Sequence, residues 1–271
     1  MSGDRRRWGG TFAGVVVLAT LVAAGTIATG GAAAPARAAV VGDPGVSSSA
    51  PTTSGDGRPD EIFPVIHEDP PTRYLLVAIE RAIPITRRAG AGRVIGAMPA
   101  GSRYYGVATV AWVRRVSGDG RFGLVDVPYV AHRASGWIRL RGLDRSWTRV
   151  SVTADLSSHR IAVRRGDVVL FRAPAATGSP ASPTPVGRYF VTDRVAFPGG
   201  GVLGTFAFGI SGIQPRLPAG WSGGDQLAIH GTNAPSTIGR SASAGCLRVS
   251  ERILDRLQPL LRLGTPVIVR R

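Results

Sequence analysis

The chain has 271 residues, a formal net charge of +16 and a single cysteine. All 33 of its basic residues are arginines. They are scattered and no nucleic-acid motif accompanies them, which argues against a nucleic-acid partner; wall polymers and anionic headgroups suit such a charge better in an exported chain. One cysteine and four histidines at unrelated spacings make no metal-ligand set, and no phosphate-cradling glycine loop opens a helix, so neither metal nor cofactor is expected.

The first 38 residues read as a secretory signal. Arg5, Arg6 and Arg7 precede the uncharged run TFAGVVVLATLVAAGTIA, and Ala36-Arg37-Ala38 supplies a small-residue cleavage pattern. The expected location is therefore the periplasm or the cell wall, by the general or the twin-arginine route. If the leader is retained, its length also suits a membrane anchor. Residues 39–73 (GDPGVSSSAPTTSGDGRPDE within them) are rich in Ser, Thr, Pro, Gly and Asp, a composition that predicts a disordered linker with His67 exposed in it.

Residues 74–146 read as a small β domain. YLLVAIE is an apolar strand, and RVIGAMPAGSRYYGVATVAWVRRV alternates β-favouring runs with glycine turns. VSGDGRFGLV carries a hairpin signal and SGWIRL closes the segment. Strands at this spacing predict a small barrel or sandwich, with Trp112 and Trp137 in its core.

Residues 147–271 form a second, mainly β segment. VSVTADL and HRIAVRR alternate with period two, as half-buried strands do. Thr184-Pro185-Val186-Gly187 is a turn before the next strand. Residues 197–224 are glycine-rich and predict a lid or substrate wall, and DQLAIHGT is a strand ending at His230. SERILDRLQPLL is an amphipathic helix capped by Ser250 and shortened by Pro259, and TPVIVRR is a last strand.

The single thiol sits in SASAGCLR. Gly245, Leu247, Ser243 and Arg248 frame Cys246 in a way unlike an inert core cysteine. A nucleophilic thiol needs a base to take its proton and a group to orient that base. His67 falls in the linker, His132 in the first β segment and His159 in a polar turn expected to be exposed. His230 ends an apolar strand, and the small, polar loop after it can fold back to bring Cys246 close.

The pair of segments His230-Gly231-Thr232-Asn233 and Ser243-Ala244-Gly245-Cys246-Leu247-Arg248 resembles the signature of the L,D-transpeptidase catalytic domain (YkuD type). Thr184-Pro185-Val186-Gly187 and the strand pattern from Val150 resemble it too. The segment closing on Gly136-Trp137-Ile138 loosely resembles a bacterial SH3-like domain, a module that commonly binds wall components. One departure is Ala244, where many members carry His.

The resemblance implies a β-sandwich catalytic domain with one helix toward its C-terminal side, preceded by a small SH3-like barrel. It implies an enzyme that cleaves a peptidoglycan stem peptide through a thioacyl intermediate on Cys246. The acyl group then passes to an amine of a second stem, forming a 3→3 cross-link. In that scheme His230 is general base and acid, and its imidazolium form lowers the thiol pKa. With no convincing acidic residue near either motif, the Gly231 carbonyl orients the ring. The N–H groups of Gly245 and Cys246 form an oxyanion hole. Arg248 holds a substrate carboxylate, and Ser243, Asn233 and Thr232 hold the loop or the substrate. The expected partners are donor and acceptor stem peptides, with anionic wall polymers or a membrane surface beside them. An L,D-carboxypeptidase on the same site, and a wall-binding protein without turnover, are the alternatives.

Overall fold

The computed structural model describes residues 39–40, 73–131 and 134–271. The leader, most of the linker with His67, and His132 lie outside the described residues. The described part is mainly β with one α-helix. Among the described residues no helix is long and apolar enough to cross a membrane.

The first segment builds eight strands: β2 (Tyr74–Ile79), β3 (Ile83–Arg88), β4 (Ala91–Met98), β5 (Thr109–Val113), β6 (Arg115–Val116), β7 (Phe122–Asp126), β8 (Ser135–Arg139) and β9 (Arg145–Thr148), numbered after β1 (Ala39–Val40). They form a three-stranded sheet in the order β5-β2-β9 and a five-stranded sheet in the order β4-β3-β8-β7-β6. Their inner faces enclose a core around Leu76, Ile79, Ile85, Met98, Ile138 and Leu140, side chains whose burial stabilises by about 1.5–3 kcal/mol each. Trp112 is in this core, its ring edge-on to Tyr74 at 5.7 Å between centroids. Trp137 is not: period-two alternation sends its neighbours Gly136 and Ile138 inward, so the indole lies half-buried on the outer face of β8. The expected boundary at residue 147 falls inside β9, because Thr148 still pairs with Tyr74 and Trp147 with Leu75.

The second segment adds β10 (Val150–Asp155), β11 (Arg160–Arg165), β12 (Val168–Pro174), β13 (Thr177–Gly178), β14 (Gly187–Ala196), β15 (Phe206–Ile213), β16 (Gln226–His230), β17 (Ser241–Ser243), β18 (Leu247–Arg248), α1 (Glu251–Leu257) and β19 (Pro266–Arg270). Eight strands run in the order β12-β11-β10-β19-β14-β15-β16-β18. β1 pairs with the far end of β14, so the first two residues of the expected linker are hydrogen-bonded strand. The last strand, β19, is interior: it pairs parallel with β10 and antiparallel with β14. α1 buries Leu254 and Leu257 against the sheet. Ser250 caps it by accepting from Ile253 N, and the helix stops before Pro259.

The glycine-rich stretch is not one continuous wall. Its middle is β15, a buried strand paired on both sides. Two of its glycines make room for side chains of neighbouring strands. A Cβ on Gly209 would stand 2.6 Å from Asp193 Oδ2, and one on Gly212 would stand 2.5 Å from Tyr189 Cε1. Only the turn at residues 197–205 and the loop at 214–224, exposed from 215 on, remain as irregular chain.

Candidate active site

β16 and β18 lie side by side and parallel, with Ile229 opposite Leu247 and His230 opposite Arg248. Ile229 and Leu247 point into the core. Alternation then puts Gln226, Ala228 and His230 of β16 on the other face, with Cys246 and Arg248 beside them. The two motifs thus meet because adjacent parallel strands present them on one face.

His230 is buried, and its Nδ1 lies 2.6 Å from Gly231 O. A carbonyl only accepts, so Nδ1 carries the proton and donates; Nε2 is left with a lone pair. Burial, aided by the Arg248 charge, depresses the imidazole pKa to about 4 against the opposing Gly231 bond and Glu251 charge. The ring is neutral at pH 7 and ready to accept a proton.

Cys246 is half-buried. Burial raises its thiol pKa, against the opposing pull of the Ala228 N–H directed at the sulfur and of the Arg248 charge. Sγ also lies 3.9 Å from Gln226 O. Both shifts favour a neutral thiol and a neutral imidazole on this face, whereas an imidazolium was expected to lower the thiol pKa. The desolvation that keeps His230 unprotonated also keeps the thiol protonated.

The other expected residues hold the turns around Cys246, and one of them, Gly245, is engaged differently from the expectation. Gly245 N–H donates to Ser243 Oγ at 3.0 Å, so it is spent inside the turn and not open to an oxyanion. What requires glycine there is φ of +120° together with the Gln214 amide, which a Cβ would overlap. Ser243 Oγ also donates to Cys246 O at 2.6 Å, so this buried hydroxyl shapes the turn that carries Cys246, the loop-holding alternative of its expected role. Thr232 Oγ1 accepts from Ala234 N at 3.0 Å and holds its own loop, while Asn233 is exposed.

Arg248 is fixed through its backbone, which exchanges two hydrogen bonds with Ala176 at 2.8 and 3.0 Å. Its Nε is buried without a hydrogen-bond partner, leaving an unsatisfied cationic donor beside the thiol and the imidazole. His159 is half-buried, its Nδ1 3.0 Å from Thr177 Oγ1 on the strand paired with β17, just before the Cys246 turn.

Two residues escaped the sequence reading. Gln214 is buried, and its Nε2 donates to Ser182 O at 3.2 Å, Pro183 O at 3.0 Å and Ala244 O at 3.1 Å. It thereby ties the turn before β14 to the Cys246 turn. Glu251 is an acid close to the second motif. Its Oε2 accepts from Thr205 N at 3.3 Å and Thr205 Oγ1 at 2.5 Å. Its Oε1 is buried without a hydrogen-bond partner, against Gly204 and Gly231, where either Cβ would overlap it. The carboxylate thus stands behind the carbonyl that holds His230. A sequence signal existed for it in glycines at 204 and 231, but glycine does not say which side chain fills its place. Among the described residues no three His, Cys, Asp or Glu side chains gather as a metal site.

A turn-mounted thiol, a strand-end histidine with a defined tautomer and an unsatisfied arginine thus gather on one sheet face. Residues 149–269 match the L,D-transpeptidase catalytic domain, YkuD. The YkuD protein of Bacillus subtilis (strain 168) is 25% identical over 120 residues, covering 44% of this chain and 65% of that protein. The YkuD protein of Bacillus licheniformis is 27% identical over 118 residues, covering 44% and 64%. The matched region thus spans less than two thirds of each relative. Among solved structures, L,D-transpeptidase 3 from Mycobacterium tuberculosis aligns at 19% identity and a TM-score of 0.40, covering 59% of this chain and 82% of that one. An L,D-transpeptidase from Mycobacterium smegmatis aligns at 16% identity and a TM-score of 0.38, covering 72% and 99%.

Proposed function

We propose that the protein is an exported cysteine L,D-transpeptidase that forms 3→3 cross-links between peptidoglycan stem peptides. The observation that carries this reading is the His230–Gly231 bond, which leaves Nε2 as the base on the face shared by Cys246 and Arg248.

As the thiol sulfur attacks the donor peptide carbonyl, its proton passes to His230 Nε2. A new C–S bond forms and the carbonyl π pair moves to oxygen, where the Cys246 N–H is the remaining donor of the expected pair. The C–N bond then breaks, and the departing amine of D-Ala takes the proton from His230. The thioester carbon next receives the acceptor amine, whose proton returns to His230. The C–S bond breaks, an amide joins the two stems, and the thiol recovers its proton. The imidazolium exists only within the reaction, where the Glu251 charge favours it. The Arg248 guanidinium holds the donor's carboxylate.

The test has two parts. A carbapenem should add its mass to Cys246 in the wild type and leave Cys246→Ala unlabelled. A disaccharide-tetrapeptide substrate should yield cross-linked dimer and free D-Ala. D-Ala release without dimer identifies a trimming enzyme; no adduct on reduced protein and no turnover rejects the catalytic reading.

A further inference from the structure

We propose that Arg103 and Tyr104, both in the first β segment, are positioning residues for the Cys246 site and act on it through Asp225. Their role presupposes the catalysis proposed above. The loop that carries them is closed on itself between β4 and β5. Ser102 N donates to Val107 O at 2.8 Å, Gly106 N to Ser102 O at 3.1 Å, and Thr109 N to Ala100 O at 2.9 Å. Arg103 and Tyr104 stand exposed at its tip. A second turn of the same segment seats this loop. Tyr129 N donates to Ser211 O of β15 at 2.8 Å, and the Tyr129 hydroxyl accepts from Arg103 N at 3.4 Å. Tyr129 has φ of +58°, which a bulky residue keeps only where its surroundings hold it.

The tip takes both oxygens of one carboxylate. Tyr104 Oη donates to Asp225 Oδ1 at 2.7 Å, and Arg103 Nη1 lies 3.1 Å from Asp225 Oδ2. Asp225 N donates back to Tyr104 Oη at 3.3 Å. Burial and the Asp225 carboxylate raise the phenol pKa, so the hydroxyl stays a donor at neutral pH. An exposed ion pair contributes little by itself; the short bond from the phenol to the carboxylate is the stronger tie. Gly224 admits the ring, because a Cβ there would stand 3.2 Å from Tyr104 Oη.

Two ties run from Asp225 to the thiol. Its carbonyl accepts from Gln214 N at 2.7 Å, which closes the 215–224 loop at its base, and Gln214 Nε2 then reaches Ala244 O in the Cys246 turn. In the other direction the next residue, Gln226, has its carbonyl 3.9 Å from Cys246 Sγ. One carboxylate held from the first segment thus fixes the end of β15 and the start of β16, and both touch the Cys246 turn. A displacement of about 1 Å is enough to slow a reaction severely, so releasing Asp225 acts on Cys246 although neither Arg103 nor Tyr104 contacts substrate.

The experiment compares the full-length wild type with Tyr104→Phe, Asp225→Asn and their double variant. Tyr105→Phe is the control, since its hydroxyl makes no hydrogen bond among the described residues. Two rates at Cys246 are measured below the melting transition: acylation by a saturating carbapenem and alkylation by iodoacetamide. In Tyr104→Phe acylation should slow about fivefold or more, while alkylation quickens because a thiol loosened from Gln226 is less covered. A loss of stability alone lowers the melting temperature and moves neither rate in the folded protein. The double variant should be no slower in acylation than Asp225→Asn, because the hydroxyl acts through that carboxylate. Either rate unchanged in Tyr104→Phe overturns the proposal. So do additive losses in the double variant, or an equal effect of Tyr105→Phe. A wild type that takes no carbapenem rejects the catalytic reading, and alkylation, which needs no turnover, then decides the tie through Asp225.

Discussion

The side-chain amide of Gln214 donates to the backbone carbonyl of Ala244 at 3.1 Å, across thirty residues of sequence. The same nitrogen reaches Ser182 and Pro183, so one buried group sets the distance between the Cys246 turn and the turn before β14. Gln214→Leu fills the space but leaves three carbonyls short of a donor, at about 1–3 kcal/mol. We expect a lower melting temperature and carbapenem acylation of Cys246 slowed at least tenfold. Unchanged acylation in a folded variant removes Gln214 from the positioning of the thiol.

Gly245→Ala should be worse. Its φ of +120° is strained for an L residue, and the new methyl group would overlap the Gln214 amide. A destabilisation of about 2–4 kcal/mol is expected from the strain and the displaced amide together. Urea unfolding measures it; a loss under about 0.5 kcal/mol, the size of an ordinary surface change, would mean that the turn relaxes freely.

The pKa shifts give opposite predictions for two observables. The folded imidazole of His230 is pushed down to about 4, from an ordinary 6.5. Below pH 6.5 the unfolded chain binds the proton and the folded one does not. Stability from this group is therefore full above pH 6.5, falls through the interval, and has lost about 3 kcal/mol by pH 4. Replacing His230 with Asn should flatten that part of the stability profile. The thiol pKa moves the other way, so iodoacetamide labelling should be slow at pH 7 and rise only above the ordinary thiol range. Rapid labelling at neutral pH would contradict the neutral pair.

Glu251→Gln keeps the shape against Gly204 and Gly231 but removes the charge that favours protonated His230. Imidazole titration followed by NMR should move to still lower pH, while the Thr205 contacts survive. Glu251→Ala should instead free the 204–205 turn and lower stability by about 1–3 kcal/mol. If neither the titration nor the activity changes in Glu251→Gln, the carboxylate serves packing alone.

Where local chemistry dictated structure, the sequence was readable. Ser250 caps α1, Pro259 lies just past its end, and the apolar run before His230 is β16. Parallel pairing of two motif-bearing strands then brings His230 and Cys246 to one face. β15 was unreadable because Gly209 and Gly212 lower strand propensity for the sake of Asp193 and Tyr189 on the neighbouring strand. Gln214, Glu251 and the Gly245 N–H were hidden for a related reason. Each is defined by a partner remote in sequence or by which of two acceptors wins, and no local pattern records that choice. Trp137 was misplaced because an aromatic residue in an alternating strand looks the same from either face.

β19 lies between β10 and β14, and its Ile268 packs toward the first core while Val267 and Val269 serve the second. During synthesis, therefore, more than two hundred and sixty residues emerge before the strand that joins the two halves of the main sheet. Until then β10 and β14 carry open hydrogen-bonding edges. The histidine and the cysteine are already translated, but the sheet that sets their spacing is not closed. The face that carries His230, Cys246 and Arg248 is therefore completed only when the last strand closes the sheet.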